Sequence, residues 1–289
     1  MHSALSAGKE EFLRLTTDKL GSSPIDFYPR MTSIAKTRET ASRRLAAGVL
    51  LLLRYRMKKD HGNAGNGEFV FVLIKRSALV PQPGDLSCPG GILHRAIDPL
   101  LRPLISTGLL PVMRHRARDL ALRKGGKTFR LMTLFLTNAV REAWEEIGLN
   151  PFLIRFLGAL PSHTMAFYPR TIFPLVAYMA NEQAFHPNSE VERIVEIPLL
   201  AFLDKNNYGR FTAATEEHAP PEDEDIIDFP CLVHREEDGR EEILWGATFY
   251  VILNFLKTVI GFRPPDPFPE RIVTKVLHPD YMNGRRKYR

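Results

Sequence analysis

Two apolar runs, Leu45-Ala-Ala-Gly-Val-Leu-Leu-Leu-Leu53 and Phe69-Val-Phe-Val-Leu-Ile74, open the strand-forming part of the chain. Continuous apolar runs of this length, bounded by polar residues, predict buried strands. Lys58 to Gly67 between them is rich in Gly and Asn and predicts a hairpin connection. Further strands are predicted at Ile154–Leu160, Thr171–Met179, Val191–Ile197 and Ile226–Val233. Helical spacing appears near both ends. Residues 8–20 set Phe12, Leu13, Leu15 and Leu20 among charges, and Trp245 to Ile260 presents Phe249, Ile252, Leu253, Leu256 and Ile260. Strands interleaved with helices predict an α/β protein, and no internal repeat is present.

One further helix carries chemistry. In Arg141-Glu-Ala-Trp-Glu-Glu-Ile-Gly-Leu149, carboxylates fall at Glu142, Glu145 and Glu146, that is at i, i+3 and i+4. These spacings put all three on one helix face, where like charges repel. A hard divalent cation such as Mg²⁺ removes the repulsion, because it is held by carboxylate oxygens and substrate phosphates. The bland alternative is a solvated acidic surface helix. Gly148 suits the helix end, where a left-handed residue is needed.

Composition adds bounds. Hydrophobic residues make up 44% of the 289 and charged residues 25%, ordinary values for a globular protein. The net charge of +6 favours anionic partners, either phosphorylated metabolites or nucleic acid. Cys88 and Cys231 show no metal-ligand spacing, so a reducing, cytoplasmic setting is expected. The N-terminus lacks the apolar core of a secretory signal, and Leu45–Leu53 is too short to span a bilayer. No membrane partner is expected.

Upstream, Lys75-Arg-Ser-Ala-Leu-Val-Pro-Gln-Pro-Gly-Asp-Leu-Ser-Cys-Pro-Gly-Gly91 follows directly on a strand. Paired glycines let backbone approach a ligand and expose N–H groups to phosphate oxygens. Alone, Pro-Gly-Gly is equally a turn signal.

Together the glycines and the helix resemble the Nudix box, Gly-x5-Glu-x7-Arg-Glu-U-x-Glu-Glu-x-Gly-U, with U a bulky apolar residue. Flanking segments resemble the coenzyme A diphosphatase branch: Lys75-Arg-Ser with Pro89-Gly-Gly91, Asn188-Ser-Glu-Val191, Pro198-Leu-Leu-Ala-Phe-Leu203 and Ile243-Leu-Trp-Gly-Ala-Thr248. The resemblance runs from about residue 45 to 260. It implies an α/β/α sandwich with a mixed sheet in residues 37–262, a helical extension in 1–36 and a basic tail in 263–289. It also implies Mg²⁺- or Mn²⁺-dependent cleavage of coenzyme A or an acyl derivative to 3′,5′-ADP and 4′-phosphopantetheine. Related activities on ADP-ribose or NADH, or a non-catalytic nucleotide- or nucleic-acid-binding module, are the alternatives. On this reading Glu142, Glu145, Glu146 and Glu190 are metal ligands, with Glu142, Glu145 and Arg141 catalytic. Arg76, Gly90 and Gly91 hold the substrate. Glu190 is equally placed for structural capping. His163, in Pro161-Ser-His-Thr164, reads first as structural and second as facing the substrate.

The box is interrupted. Gly91 and Arg141 stand 50 positions apart, about 36 more than the signature has. Ile97 occupies the place of the first carboxylate, with Asp98 one residue late. The inserted residues, about 99–136, are basic, with Arg114-His-Arg-Ala-Arg118 between apolar runs. They predict a surface excursion with its own helical hairpin or, alternatively, an anion-binding lid or a nucleic-acid contact. The recognition loop has Gln82 where the branch carries a histidine. An acidic run, Glu216 to Asp225, predicts a solvated loop, and Arg285-Arg-Lys-Tyr-Arg289 a disordered end.

Overall fold

The computed structural model describes residues 8–36, 44–57, 67–165, 169–215, 229–266, 269, 271–277 and 281. The predicted hairpin connection, the acidic run, residues 226–228 and the Arg285–Arg289 end lie outside the described residues.

Helices α1 (Lys9–Ser22) and α2 (Phe27–Lys36) precede the first long strands, β1 (Leu45–Met57) and β2 (Gly67–Arg76). Two short strands follow, β3 (Leu86–Ser87) and β4 (Gly90–Ile92), then helices α3 (Ile97–Ser106), α4 (His115–Arg123) and α5 (Gly126–Ile147). Next come β5 (Ile154–Ala159), β6 (His163–Thr164), β7 (Arg170–Met179) and β8 (Val191–Pro198). The last part holds β9 (Tyr208–Thr215), β10 (Phe229–Arg235), β11 (Glu241–Trp245), helix α6 (Gly246–Ile260) and β12 (Ile272–Leu277).

The main sheet is mixed. β1 lies at its centre, parallel to β7 and antiparallel to β2 and β4, and β8 and β5 flank β2 and β7. Its central run is apolar throughout because both faces are covered. Alternate residues sort to opposite layers, as strand geometry demands. Leu51, Leu53, Phe71 and Leu73 meet Phe12 and Leu13 of α1 and Phe255 of α6. Leu50, Leu52, Val72 and Ile74 meet Phe135, Leu136 and Ala139 of α5 with Phe27 of α2. The result is the expected α/β/α sandwich.

Three features extend the sequence reading. Helix α1 is part of the core, with Phe12 and Leu13 fully buried against the sheet. The inserted segment is not an excursion. It forms α3, α4 and the first half of α5, and it buries Ile105, Val112, Met113, Ala117, Ala121 and Phe135. Phe135 stacks on Phe173 of β7 at 4.0 Å between ring centres, and Phe27 meets Phe173 edge-on at 4.9 Å. Ile105, Val112 and Met113 before the basic cluster and Phe135 after it bury because α5 needs a partner layer along its length. Finally, β10, which overlaps the strand predicted at Ile226–Val233, joins β9, β11 and β12 in a second sheet, with β12 parallel to β9 inside the segment read as a tail. Glu242 of β11 is buried between Lys75 of β2 and Arg193 of β8, an ion cluster joining the two sheets.

Candidate active site

The carboxylate helix α5 ends as its sequence predicts. Gly148 adopts a left-handed conformation (φ 67°), and its N–H and that of Leu149 bond back to Trp144 O and Ala143 O. The last carbonyls are closed by the Asn188 segment. His186 N–H donates to Ile147 O, Asn188 N–H to Glu146 O at 2.9 Å, and Asn188 Nδ2 to Glu145 O at 3.0 Å. The Asn-Ser-Glu-Val run thus caps α5 and delivers Glu190 to the field of Glu146. Glu190 N–H donates to Asn188 Oδ1. Capping belongs to Asn188, which leaves the Glu190 carboxylate for another role.

Arg141 gathers the acids of the site. Its Nη2 donates to Glu142 Oε1 at 2.6 Å, its Nη1 to Glu145 Oε2 at 2.9 Å and its Nε to Asp98 Oδ1 at 2.8 Å. Asp98, fully buried, also accepts His94 N–H at 2.7 Å and Asn138 Nδ2 at 3.0 Å. The residue one place late in the signature therefore anchors Arg141, and Ile97 is exposed. Asn138, which the sequence reading did not single out, ties this anchor to the sheet, because its Oδ1 accepts Gly48 N–H at 2.8 Å. A buried amide one turn before Arg141, inside an apolar run, was the available signal.

The glycines act through space as much as through donors. A Cβ on Gly91 would lie 2.5 Å from Glu142 Oε2, and one on Gly48 2.7 Å from Asn138 Oδ1 and Phe135 O. Gly90 (φ 149°) donates its N–H to Glu146 Oε2 at 3.0 Å. Its N–H thus has a carboxylate partner here rather than standing open to phosphate, a correction to the expectation drawn from the paired glycines.

Electrostatics follows from crowding. Burial pushes the Glu146 carboxyl up to about 8 against the help of the Gly90 N–H, with Glu142 and Glu190 adding repulsion. Glu142 is also raised by burial, although Arg141 pulls the other way. Burial opposes the charge of Arg141, but hydrogen bonds to Asp98 and Glu145 and the charge of Glu142 hold its pKa above the ordinary value. Among the described residues no group of three acidic, His or Cys side chains already stands as a closed metal cage. The donor set nevertheless suits a hard cation, because buried carboxylates that repel one another are relieved by positive charge. Glu145, the most exposed of the three, pairs with Arg141 at 2.9 Å.

Beside Glu146 opens a pocket of about 330 Å³. Its lining includes Cys88 and Gly90, the charged Arg76 and Arg170, and the aromatic Trp245, Tyr250 and Phe229. His163 lines it too, stacked on Tyr250 at 5.8 Å. Ser87 Oγ, also in the lining, is buried with no hydrogen-bond partner. Asp85 accepts Trp245 Nε1–H at 3.3 Å and the Tyr281 hydroxyl, and Gln82 N–H donates to Tyr281 O at 2.6 Å. Among the described residues, the inserted helices contribute nothing to this lining.

No family model matches the chain. A curated relative, the chloroplastic Nudix hydrolase 22 of Arabidopsis thaliana, is 29% identical over 133 residues, 44% of this chain and 40% of the relative. The match thus spans well under two thirds of that protein's length. Among solved structures, a C. elegans Ap4A hydrolase binary complex aligns at 12% identity and a TM-score of 0.33, covering 54% of this chain and 81% of that one. The Nudix domain of Shewanella oneidensis NrtR, complexed with ADP ribose, aligns at 14% identity and a TM-score of 0.32, covering 55% and 76%. With the Arg141–Leu149 signature seated against the Pro89-Gly-Gly91 turn, the chain is similar to the Arabidopsis Nudix hydrolase over those 133 residues.

Proposed function

We propose that this protein is a divalent-cation-dependent diphosphatase whose favoured substrate is coenzyme A or an acyl-coenzyme A, releasing 3′,5′-ADP and 4′-phosphopantetheine or its acyl form. The observation that carries the reading is the electrostatic crowding of Glu146 by Glu142 and Glu190, with Arg141 bonded to both Glu142 and Glu145, next to a pocket whose lining includes Gly90, Arg76 and Arg170. These four carboxylates would hold Mg²⁺ or Mn²⁺, which supplies charge neutralisation of the diphosphate and lowers the pKa of a water. The chain's own groups do the rest. Arg141, anchored by Asp98, orients Glu142 and Glu145. A carboxylate of this set takes the proton of the attacking water, a phosphorus–oxygen bond forms, and the anhydride oxygen leaves on the other phosphate. Arg76 and Arg170 position the phosphates, and the aromatic side chains of the lining suit the apolar arm of the substrate. Two buried, unbridged thiols accord with a cytoplasmic setting.

The test is a Mg²⁺-dependent panel of coenzyme A, acetyl-coenzyme A, NADH, ADP-ribose and nucleoside triphosphates, with Glu145→Gln alongside. Turnover of the coenzyme A pair, lost in the variant, is the expected result. Preference for ADP-ribose or NADH would move the substrate assignment, and no turnover of any diphosphate would leave a nucleotide-binding module.

A further inference from the structure

Helix α3 carries apolar side chains on its outer side as well as its inner one. Its one acid, Asp98, and Ile105 point into the protein, at i and i+7. Ile97, Leu100 and Pro103, at i, i+3 and i+6, face outward. Leu100 is 76% exposed, and Leu109, just past the turn that ends the helix, is 69% exposed. They are the two most exposed large apolar side chains among the described residues. Ile92, at the end of β4, is exposed as well. An amphipathic helix ordinarily turns such residues to the core, and exposed apolar clusters of this kind mark contact surfaces.

Charge indicates what the surface meets. Between Ile92 and Arg118 the chain carries Arg95, Arg102, Arg114, Arg116 and Arg118, and its only acid is Asp98, which is buried on Arg141. Arg116 pairs with Asp18 and Arg118 reaches Ser106 O, whereas Arg95 and Arg114 are exposed and make no ion pair among the described residues. Leucines standing out between arginines match an anionic bilayer surface, where apolar side chains enter the acyl boundary and cations meet headgroup phosphates. A second copy fits poorly, because docking two such faces would set arginines against arginines. Spanning is not involved, as no helix among the described residues is long and apolar enough to cross a membrane.

We propose that the α3 face, Ile97, Leu100 and Leu109 with Arg95 and Arg114, is a peripheral docking surface for anionic phospholipid. The expectation of no membrane partner rested on the lack of a spanning segment, which does not bear on surface binding. The inference is independent of the catalytic reading, and its test reads vesicle binding alone. The full chain is sedimented with vesicles of phosphatidylcholine or of phosphatidylcholine with about one third phosphatidylglycerol. Binding is expected only to the anionic vesicles and is expected to fall as salt is raised. Leu100→Asp/Leu109→Asp and, separately, Arg95→Glu/Arg114→Glu are each expected to lower it by about tenfold or more, with thermal unfolding close to the parent's because these side chains are exposed. No binding to anionic vesicles, binding unchanged in both variants, or equal binding to neutral vesicles would overturn the proposal. So would parent self-association, abolished by the leucine variant, without vesicle binding.

Discussion

Asp98→Asn tests the anchor under the active helix. The two oxygens of Asp98 receive four donors: His94 N–H, Asn138 Nδ2 and Arg141 Nη2 at Oδ2, and Arg141 Nε at Oδ1. Asparagine keeps the volume but turns one acceptor into a donor. With the amide nitrogen on the Oδ2 side it meets the N–H groups of His94 and Asn138. On the Oδ1 side it meets Arg141 Nε–H. Either orientation strands a donor in a fully buried place, and the charge facing Arg141 is gone. Hydrogen bonds to charged groups contribute about 1.5–3 kcal/mol, and removing one partner of a buried pair costs about 3–5 kcal/mol. Arg141 retains Glu142 and Glu145, so the lower end applies, about 3 kcal/mol. At about 2–4 °C per kcal/mol for a protein of this size, Tm falls by about 6–12 °C. Circular dichroism melts and urea titrations measure it. A loss below about 1 kcal/mol would refute the claim that Asp98 is the anchor.

Gly91→Ala places a methyl 2.5 Å from the Glu142 carboxylate; displacement of Glu142 should lower kcat by about tenfold to a hundredfold for a loss in stability of about 1–3 kcal/mol, read by kinetics and melts on the same sample. Removing residues 99–136 should abolish soluble folded protein, because Phe135 and Val112 are core; a cooperative melt from the deletion would restore the excursion reading. Tyr281→Phe should raise KM more than it lowers kcat, since the hydroxyl it removes steadies Asp85 in the pocket wall. Burial and the Glu146 charge push the Cys88 thiol up to about 12, and burial pushes Cys231 up to about 11. The thiolate is the reactive form, and at pH 8 it amounts to about one part in a thousand or less at these values, so native protein should resist iodoacetamide at that pH. Rapid labelling of either cysteine, seen by mass spectrometry, would contradict their burial.

Local periodicity set what local geometry controls. β1, β2, β5, β7 and β8 fall where apolar runs predict them, and the start of α6 differs by one residue, since Trp245 closes β11. The carboxylates at i, i+3 and i+4 share a helix face because helix pitch requires it, and Gly148 ends the helix because a left-handed residue is cheap there.

What the sequence determined by itself was therefore the helix of acids, its glycine stop and the strands that bury it. Tertiary structure decided which residues complete the site. It made Asp98 the partner of Arg141 through the seating of α3 on α5, and recruited Asn138 through Gly48. It brought Tyr281 to Asp85 across 196 positions, and turned a basic insertion into a core layer with an apolar outer face. The physical reason is range: helix and strand periods act over a few residues, whereas the partner of a buried carboxylate is chosen by whichever surfaces meet when the layers close.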